Sequence, residues 1–340
     1  MSLGMRQSAI IISLIVVMLL LGVANLVWGS LSIPAADVVQ ILLGGQVEEH
    51  LQWTYIIRES RFPQMITAMF CGMSLSTCGL MLQTLFRNPL AGPSILGIDA
   101  GSNLGVALVM LLLGGTVTLG SLSVSGYLLV IVAAMLGALC IMLLLLLLSS
   151  VLRNQVMLLI TGVIISYVTG SIISLLNYSA TEEGVHNYIV WGMGNFSGVS
   201  LDRLPLYCIL ILLGLFAAVL LVKPLDAILL GERYATNLGI NVHRTRNWLL
   251  LCTGLLTATT TAFCGPISFL GLAVPHIARM TLQTSQHRVL LPGSMLMGAC
   301  LTLLCNLLCT MPSSGSIIPV NVLTPLIGAP VILYVILKKH

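Results

Sequence analysis

Apolar runs of about the length of a bilayer crossing repeat along the whole chain, separated by short polar joints. They fall at residues 9–28, 63–86, 94–113, 124–148, 155–176, 204–222, 248–264, 267–279, 290–308 and 319–337. A helix rises about 1.5 Å per residue and a bilayer core needs roughly 20 residues, so nine of these runs are near spanning length. The eighth, Ile267 to Arg279, is too short. Short helices at membrane depth persist only where protein or a water-filled cavity satisfies their ends, so this one is expected inside the bundle. The first run follows Arg6 and continues from Ala9 through Trp28 without a small-x-small cleavage pattern, which predicts an uncleaved first helix.

Charge placement decides whether the eighth run counts as a crossing. With the N-terminus inside and ten crossings, the cytoplasmic joints hold Arg6, Arg87, Arg153, Lys223, Arg233, Arg244, Arg246, Arg279, Arg288, Lys338 and Lys339, eleven of the 14 basic residues. Arg58, Arg61 and Arg203 lie outside, among Asp37, Glu48, Glu49, Glu59, Glu182, Glu183 and Asp202. Removing the eighth crossing would move Arg279, Arg288 and both C-terminal lysines outward, against the positive-inside bias. The expectation is an all-α polytopic protein with ten transmembrane helices in one bundle and both termini cytoplasmic.

Composition agrees. Of 340 residues, 58% are hydrophobic and 7% charged, where soluble domains carry about a quarter charged. No polar stretch is long enough for a second domain, so residues 1–340 read as a single membrane domain. The nine cysteines fall in or beside apolar runs and form no Cys-x-x-Cys pair, so they read as small buried hydrophobes and no metal site is expected.

Two joints stand out. In Arg87-Asn88-Pro89-Leu90-Ala91-Gly92-Pro93, both prolines lack an amide proton and bias the preceding residue away from helical geometry. A fixed polar break therefore separates two segments that belong in lipid. Residues 226–239 form the longest polar stretch assigned to the inner face. Asp226 can cap a short helix and Gly239 can end it, with Ala227, Leu230, Tyr234 and Leu238 along one stripe. Such a helix lies in headgroups or docks on a soluble partner, and the scarcity of basic residues within it favours the partner. In the second span, Ala68, Gly72, Ser76 and Gly79 form a small-residue row suited to close helix packing.

The chain holds no phosphate-binding loop, since none of Lys223, Lys338 and Lys339 follows a glycine, and no His-Glu-x-x-His pair. Uphill transport would need a separate ATPase or an ion gradient. The gradient alternative, a secondary transporter, rests on Asp99, the one acid that falls inside a span, near the end beside Pro93.

Ordered blocks resemble one family. Arg61-Phe62-Pro63-Gln64, Gly79 through Gln83, Arg87 to Pro93 with Ile95-Leu96-Gly97, and Trp191-Gly192-Met193-Gly194 come first. Gly231-Glu232 to Ala235, Leu238-Gly239, Gly265 to Leu272, and Pro275-His276-Ile277-Ala278-Arg279 follow. Together they resemble the FecCD-type permeases, membrane subunits of binding-protein-dependent ABC importers for iron-siderophore, haem and cobalamin. The resemblance implies a non-enzymatic, ten-helix permease of a bacterial inner membrane, two copies of which line a pathway. It implies two cytoplasmic ATPases, which carry the ATP and Mg, docked around Gly231, Glu232, Tyr234, Ala235, Leu238 and Gly239. It also implies a periplasmic or surface solute-binding protein, no cofactor on this chain and no nucleic-acid partner. Asn88, Pro89 and Leu90 correspond to the family's inner gate, and Pro275, His276 and Arg279 to a structural signature; on its own residues His276 reads as capping a neighbouring carbonyl to hold a short helix, ahead of sensing pH or touching cargo. Outer docking carries over to Arg61, with Arg58 one turn earlier as a substitute for the family arginine that is Gln64 here. The C-terminal part departs from the pattern. Asn306, Thr310 and Ile317 stand where the family has charged residues and Asn321 where it has a glycine, while Pro319 keeps the family proline, and the cargo stays open among the chelates.

Overall fold

The computed structural model describes residues 3–29, 31–45, 50–112, 117–119, 122–124, 126–152, 155–310 and 318–338; Glu48, Glu49, Arg153, Ile317 and Lys339 lie outside them. In chain order the first helices are α1 (Leu3–Val27), α2 (Ala35–Leu42), α3 (Leu51–Tyr55), α4 (Phe62–Leu85) and α5 (Ile98–Ala107). Next come α6 (Gly126–Val151), α7 (Gln155–Ser179), α8 (Glu182–Gly192), α9 (Leu204–Leu220) and α10 (Val222–Leu230). The last are α11 (Glu232–Asn237), α12 (Val242–Cys264), α13 (Leu270–Leu282), α14 (His287–Thr310) and α15 (Val320–Lys338). A π-helical turn, Ile56–Arg61, joins α3 to α4.

Each predicted apolar run carries a helix. Among the described residues, 6 helices are long and apolar enough to cross a membrane unaided, and α9 with α10, bent by 49°, supplies a seventh as a broken pair. Among the described residues, an antiparallel pair of three-residue strands, β1 (Val117–Leu119) and β2 (Leu122–Val124), stands between the third and fourth apolar runs.

The core is organised around α4, buried on nearly every face and packed against α9, α12, α13 and α14. Its small-residue row explains the closeness. A Cβ on Gly72 would lie 2.2 Å from the Gly298 carbonyl oxygen, and one on Gly298 would lie 2.2 Å from that of Gly72. A Cβ on Gly79 would sit 1.6 Å from the carbonyl oxygen of Gly271 on α13. Pro275, four residues after Gly271, has no N–H to bind that carbonyl and its ring pushes against it. The proline thus turns the carbonyl towards α4, and only glycine can receive it.

The short α13 is largely buried, as its length demands, but it starts at Leu270 rather than Ile267. The delay has a local cause. After Gly265 the Ser268 amide donates to Asn321 Oδ1 at 3.1 Å, and Phe269 takes a left-handed φ of 67°, so regular geometry begins only afterwards. The stretch 226–239 is also corrected: it is two helices, not one. Gly231, with φ of 131°, breaks α10 from α11, and Asp226 lies within α10 rather than at its start.

The start of α1 and the end of α15 lie at one end of the bundle. Arg6 Nη1 donates to Gln283 Oε1 at 2.8 Å, placing the start of α1 beside the α13–α14 joint. The start of α15 lies at the other end, where the Asn321 amide donates to Met193 O at 3.2 Å. Its 19 residues then run back, about 28 Å.

Candidate gate and coupling site

Two chain-distant motifs meet at the end that carries the basic joints. The turn after α4 is closed from within: Arg87 adopts a φ of 46°, and the Leu90 amide donates to Asn88 Oδ1 at 2.9 Å. This asparagine-anchored turn is what Asn before Pro favours. Pro89 and Leu90 are exposed at its tip. His276 on α13 places Nε2 2.8 Å from the Pro89 carbonyl oxygen. That oxygen can only accept, so Nε2 carries the proton and donates. One turn on, Arg279 Nη1 donates to Gln83 Oε1 at 2.7 Å, while Gln83 Nε2 donates to the Leu272 carbonyl at 3.1 Å. The Pro275-His276-Arg279 block is thus clasped to the end of α4 and to the Asn-Pro-Leu turn. The two families of residues border one cavity of about 530 Å³ together with Arg87, Thr84 and His287.

A second set of bonds ties this turn to α10. Arg87 Nη2 donates to the Ile228 carbonyl at 3.0 Å, a cation meeting carbonyls at a helix C-terminus. Asp226 Oδ1 accepts from the His287 amide at 2.8 Å and from its Nδ1 at 2.7 Å. It caps the N-terminus of α14, a different helix from the one its position in sequence suggests. The other ring nitrogen, Nε2, lies 2.8 Å from Thr84 Oγ1 on α4. Two side-chain bridges, Arg87–Ile228 and Asp226–His287–Thr84, therefore join the Asn-Pro-Leu turn and the last turn of α4 to α10. Sequence reasoning missed Thr84, Asp226 as a clasp, and His287. Only the Arg87 motif signalled the place.

Beyond α10 the surface opens. Leu230 is 68% exposed, Tyr234 50% and Leu238 58%, beside exposed Glu232, while Ala235 is buried against the bundle and Gly231 and Gly239 take positive φ. These residues form an apolar outer face on two short helices, anchored on their inner face by Leu225, Ile228 and Ala235.

At the opposite end, the outer arginines do not both project. Arg61, expected as a docking charge, is 8% exposed, and its guanidinium donates to the carbonyls of Leu26 and Val27, at 2.8 and 3.0 Å, and of Leu31. Its geometry is that of a clamp on the end of α1. Arg58 is half-buried and donates to the Ile41 carbonyl at 2.9 Å. The neutral departures form a network of their own. Gln64 Nε2 donates to Asn306 Oδ1 at 2.9 Å, Asn306 Nδ2 to Asn25 Oδ1 at 2.8 Å, and Asn25 Nδ2 to the Leu303 carbonyl at 3.0 Å. Asn321 ties the 192–194 turn to the Gly265-Pro266 break, donating to the carbonyls of Gly192, at 3.1 Å, and Pro266.

Gln64 and Asn306 thus form a buried amide pair. Asn306→Asp alone should lower stability by on the order of 3 kcal/mol, because it strands a buried carboxylate. The double variant Asn306→Asp with Gln64→Arg should recover part of that loss. Thermal unfolding in detergent checks both; a single variant as stable as the parent would show that the ladder is wet rather than buried.

Membrane-length helices, a turn clasped between two motifs, and an exposed helix pair wired to that turn fit a multi-pass transport permease. The chain belongs to the FecCD transport family, whose pattern matches residues 14–338. It is 33% identical over 302 residues to the vitamin B12 import system permease protein BtuC of Vibrio cholerae, covering 86% of this chain and 85% of that one. It is 32% identical to the Fe(3+) dicitrate transport system permease protein FecD of Escherichia coli, covering 84% and 86%. It is 33% identical to the hemin transport system permease protein HmuU of Yersinia pestis, covering 82% of each chain. A solved metal-chelate type ABC transporter in an inward-facing conformation superposes with a TM-score of 0.84 at 29% identity, covering 98% of this chain and 100% of that one.

Proposed function

We propose that this chain carries a preformed metal chelate across a bacterial inner membrane as half of a permease dimer, driven by a pair of ATPases. In this reading the chain crosses ten times with both termini in the cytoplasm. The ATPases, which bind the ATP and Mg, seat on the Leu230–Leu238 face, and a solute-binding protein delivers cargo at the opposite end, where half-buried Arg58 remains a docking candidate. The single observation that carries the proposal is the pair of bridges from α10 to the gate turn. A push on the exposed faces of α10 and α11 reaches Arg87 through Ile228, and reaches α4 through Asp226, His287 and Thr84. Closing the ATPase dimer would thereby bias Asn88, Pro89 and Leu90 between two arrangements, with the free energy coming from nucleotide.

The family relatives named for vitamin B12, ferric dicitrate and hemin support a bulky, preformed chelate as cargo, and a pathway poor in charge suits one that moves as a single body. Tagged permease should co-purify with an ATPase, and the complex in liposomes should accumulate labelled chelate only when ATP is supplied. Uptake by the chain alone, driven by a proton or sodium gradient and lost on Asp99→Asn, would instead establish the secondary-transporter reading. Sidedness has its own check. Cysteines placed at Ser285 and at Ser197 should label from opposite sides of the membrane, Ser285 from the cytoplasm.

A further inference from the structure

Where α9 ends and α10 turns away by 49°, the bundle surface carries a groove of about 770 Å³ that the transport mechanism does not use. Its floor and walls are apolar: Val219 and Leu220 from the end of α9, Pro292 and Met295 from the first turns of α14. Val219 is 52% exposed and Leu220 65%, so these residues face the lipid rather than the core. The rim at the joint end is different. Lys223, at the start of α10, and Arg288, at the start of α14, both line the groove and are both exposed. Among the described residues neither makes an ion pair. The nearby acid in sequence, Asp226, has its Oδ1 bound to His287.

The shape has a physical cause. The bend after Leu220 carries α10 off the line of α9, and a groove is left between the end of α9 and the beginning of α14 among the described residues. Two cations stand on one rim, where α10 and α14 begin, and aliphatic walls run from them along α9 and α14. An amphiphile with an anionic head and a hydrocarbon tail matches both parts at once. A soluble anion would meet only the rim. An apolar partner helix would leave two charges facing it.

We infer that this groove is a binding site for an anionic phospholipid of the inner leaflet, its phosphate held between Lys223 and Arg288 and an acyl chain lying against Val219, Leu220 and Met295. Basic pockets between membrane helices on the cytoplasmic side take such headgroups by the same combination of charge and depth. The volume lies within the range of about 300–1,000 Å³ typical of sites for small organic ligands. The site adjoins α10, so a bound lipid would wedge the bend that carries the coupling surface and brace it against α14. The inference rests on the sidedness proposed above, and not on the ATPase or the cargo.

The test is native mass spectrometry of the detergent-purified chain titrated with phosphatidylglycerol and with phosphatidylcholine of identical acyl chains. One phosphatidylglycerol per chain should be retained about thirty-fold more tightly than phosphatidylcholine, from two surface cations. Lys223→Gln with Arg288→Gln should bring the two lipids level, while Met295→Trp, which fills the groove without touching charge, should weaken both. Equal retention by the parent chain, or a preference that survives the double substitution, overturns the site. Displacement of the lipid by glycerophosphoglycerol, the same head without acyl chains, overturns the groove's part in it. No nucleotide or partner enters the measurement, so its failure leaves ATPase co-purification untouched as the test of transport function.

Discussion

Gly79→Ala is expected to yield almost no folded permease, although it adds a single methyl group. The methyl carbon would lie 1.6 Å from the Gly271 carbonyl oxygen, a backbone atom that cannot rotate away. Relief requires α4 and α13 to separate. That separation would also stretch the clasp from Arg279 to Gln83 and the bond from His276 to Pro89. Overpacking a tight core costs about 1–3 kcal/mol where side chains can yield; here only backbone is available, so a loss of about 4 kcal/mol or more is expected. Gly192→Ala supplies the control, since nothing lies within 4 Å of its added carbon. Size-exclusion profiles and thermal unfolding of the two variants in detergent should differ sharply. If Gly79→Ala elutes and melts like the parent, the close approach of these helices is wrong.

Leu230→Glu combined with Tyr234→Glu should leave the bundle folded and abolish its association with the ATPase. Both side chains are at least half exposed, so their replacement disturbs little inside the bundle, whereas Ile228 and Ala235 on the opposite faces are fully buried. A buried aromatic and aliphatic anchor pair commonly dominates an interface, and placing two carboxylates there should weaken binding at least about a hundred-fold. Pull-down of the tagged permease reads the loss directly, and ATP-driven uptake should fall with it. The same double change at Ile189 and Val190, exposed on the short α8 at the opposite end of the bundle, lies outside the proposed docking face and should not release the ATPase. Retained ATPase with the first pair, or release with the second, would move the docking surface elsewhere.

The long elements were legible because lipid imposes a simple rule on them. A segment that buries its backbone polar groups in its own hydrogen bonds, and shows apolar side chains outward, is recognisable from length and composition alone. The gate turn was legible for a related reason: prolines and an asparagine restrict the backbone locally. His276 was read as a group that holds a nearby carbonyl, and the carbonyl it meets is that of Pro89, 187 residues away. The partner could not be read, since pairing across such a distance depends on how α13 packs on α4. Arg61 shows the opposite outcome. An arginine in a joint reads as solvent-facing, but the carbonyls of Leu26 and Val27 at the end of α1, with that of Leu31 just beyond, capture it. The 226–239 region was misread because Gly231 sits within a helical stripe, and nothing local reveals that it takes a positive φ.

By itself, the order of apolar runs, charges and turn residues determined that this chain is a multi-pass helical bundle with a fixed break after its second span, because membrane insertion and backbone restriction act on neighbouring residues. Tertiary structure alone decided that Pro275 aims a carbonyl at Gly79, that Gln64 and Asn306 form one neutral ladder with Asn25, and that Asp226 and Arg87 tie α10 to the end of α4 and the turn that follows it. Those pairings depend on distances of a few ångströms between helices far apart in the chain, and close packing sets such distances only once the whole bundle has assembled.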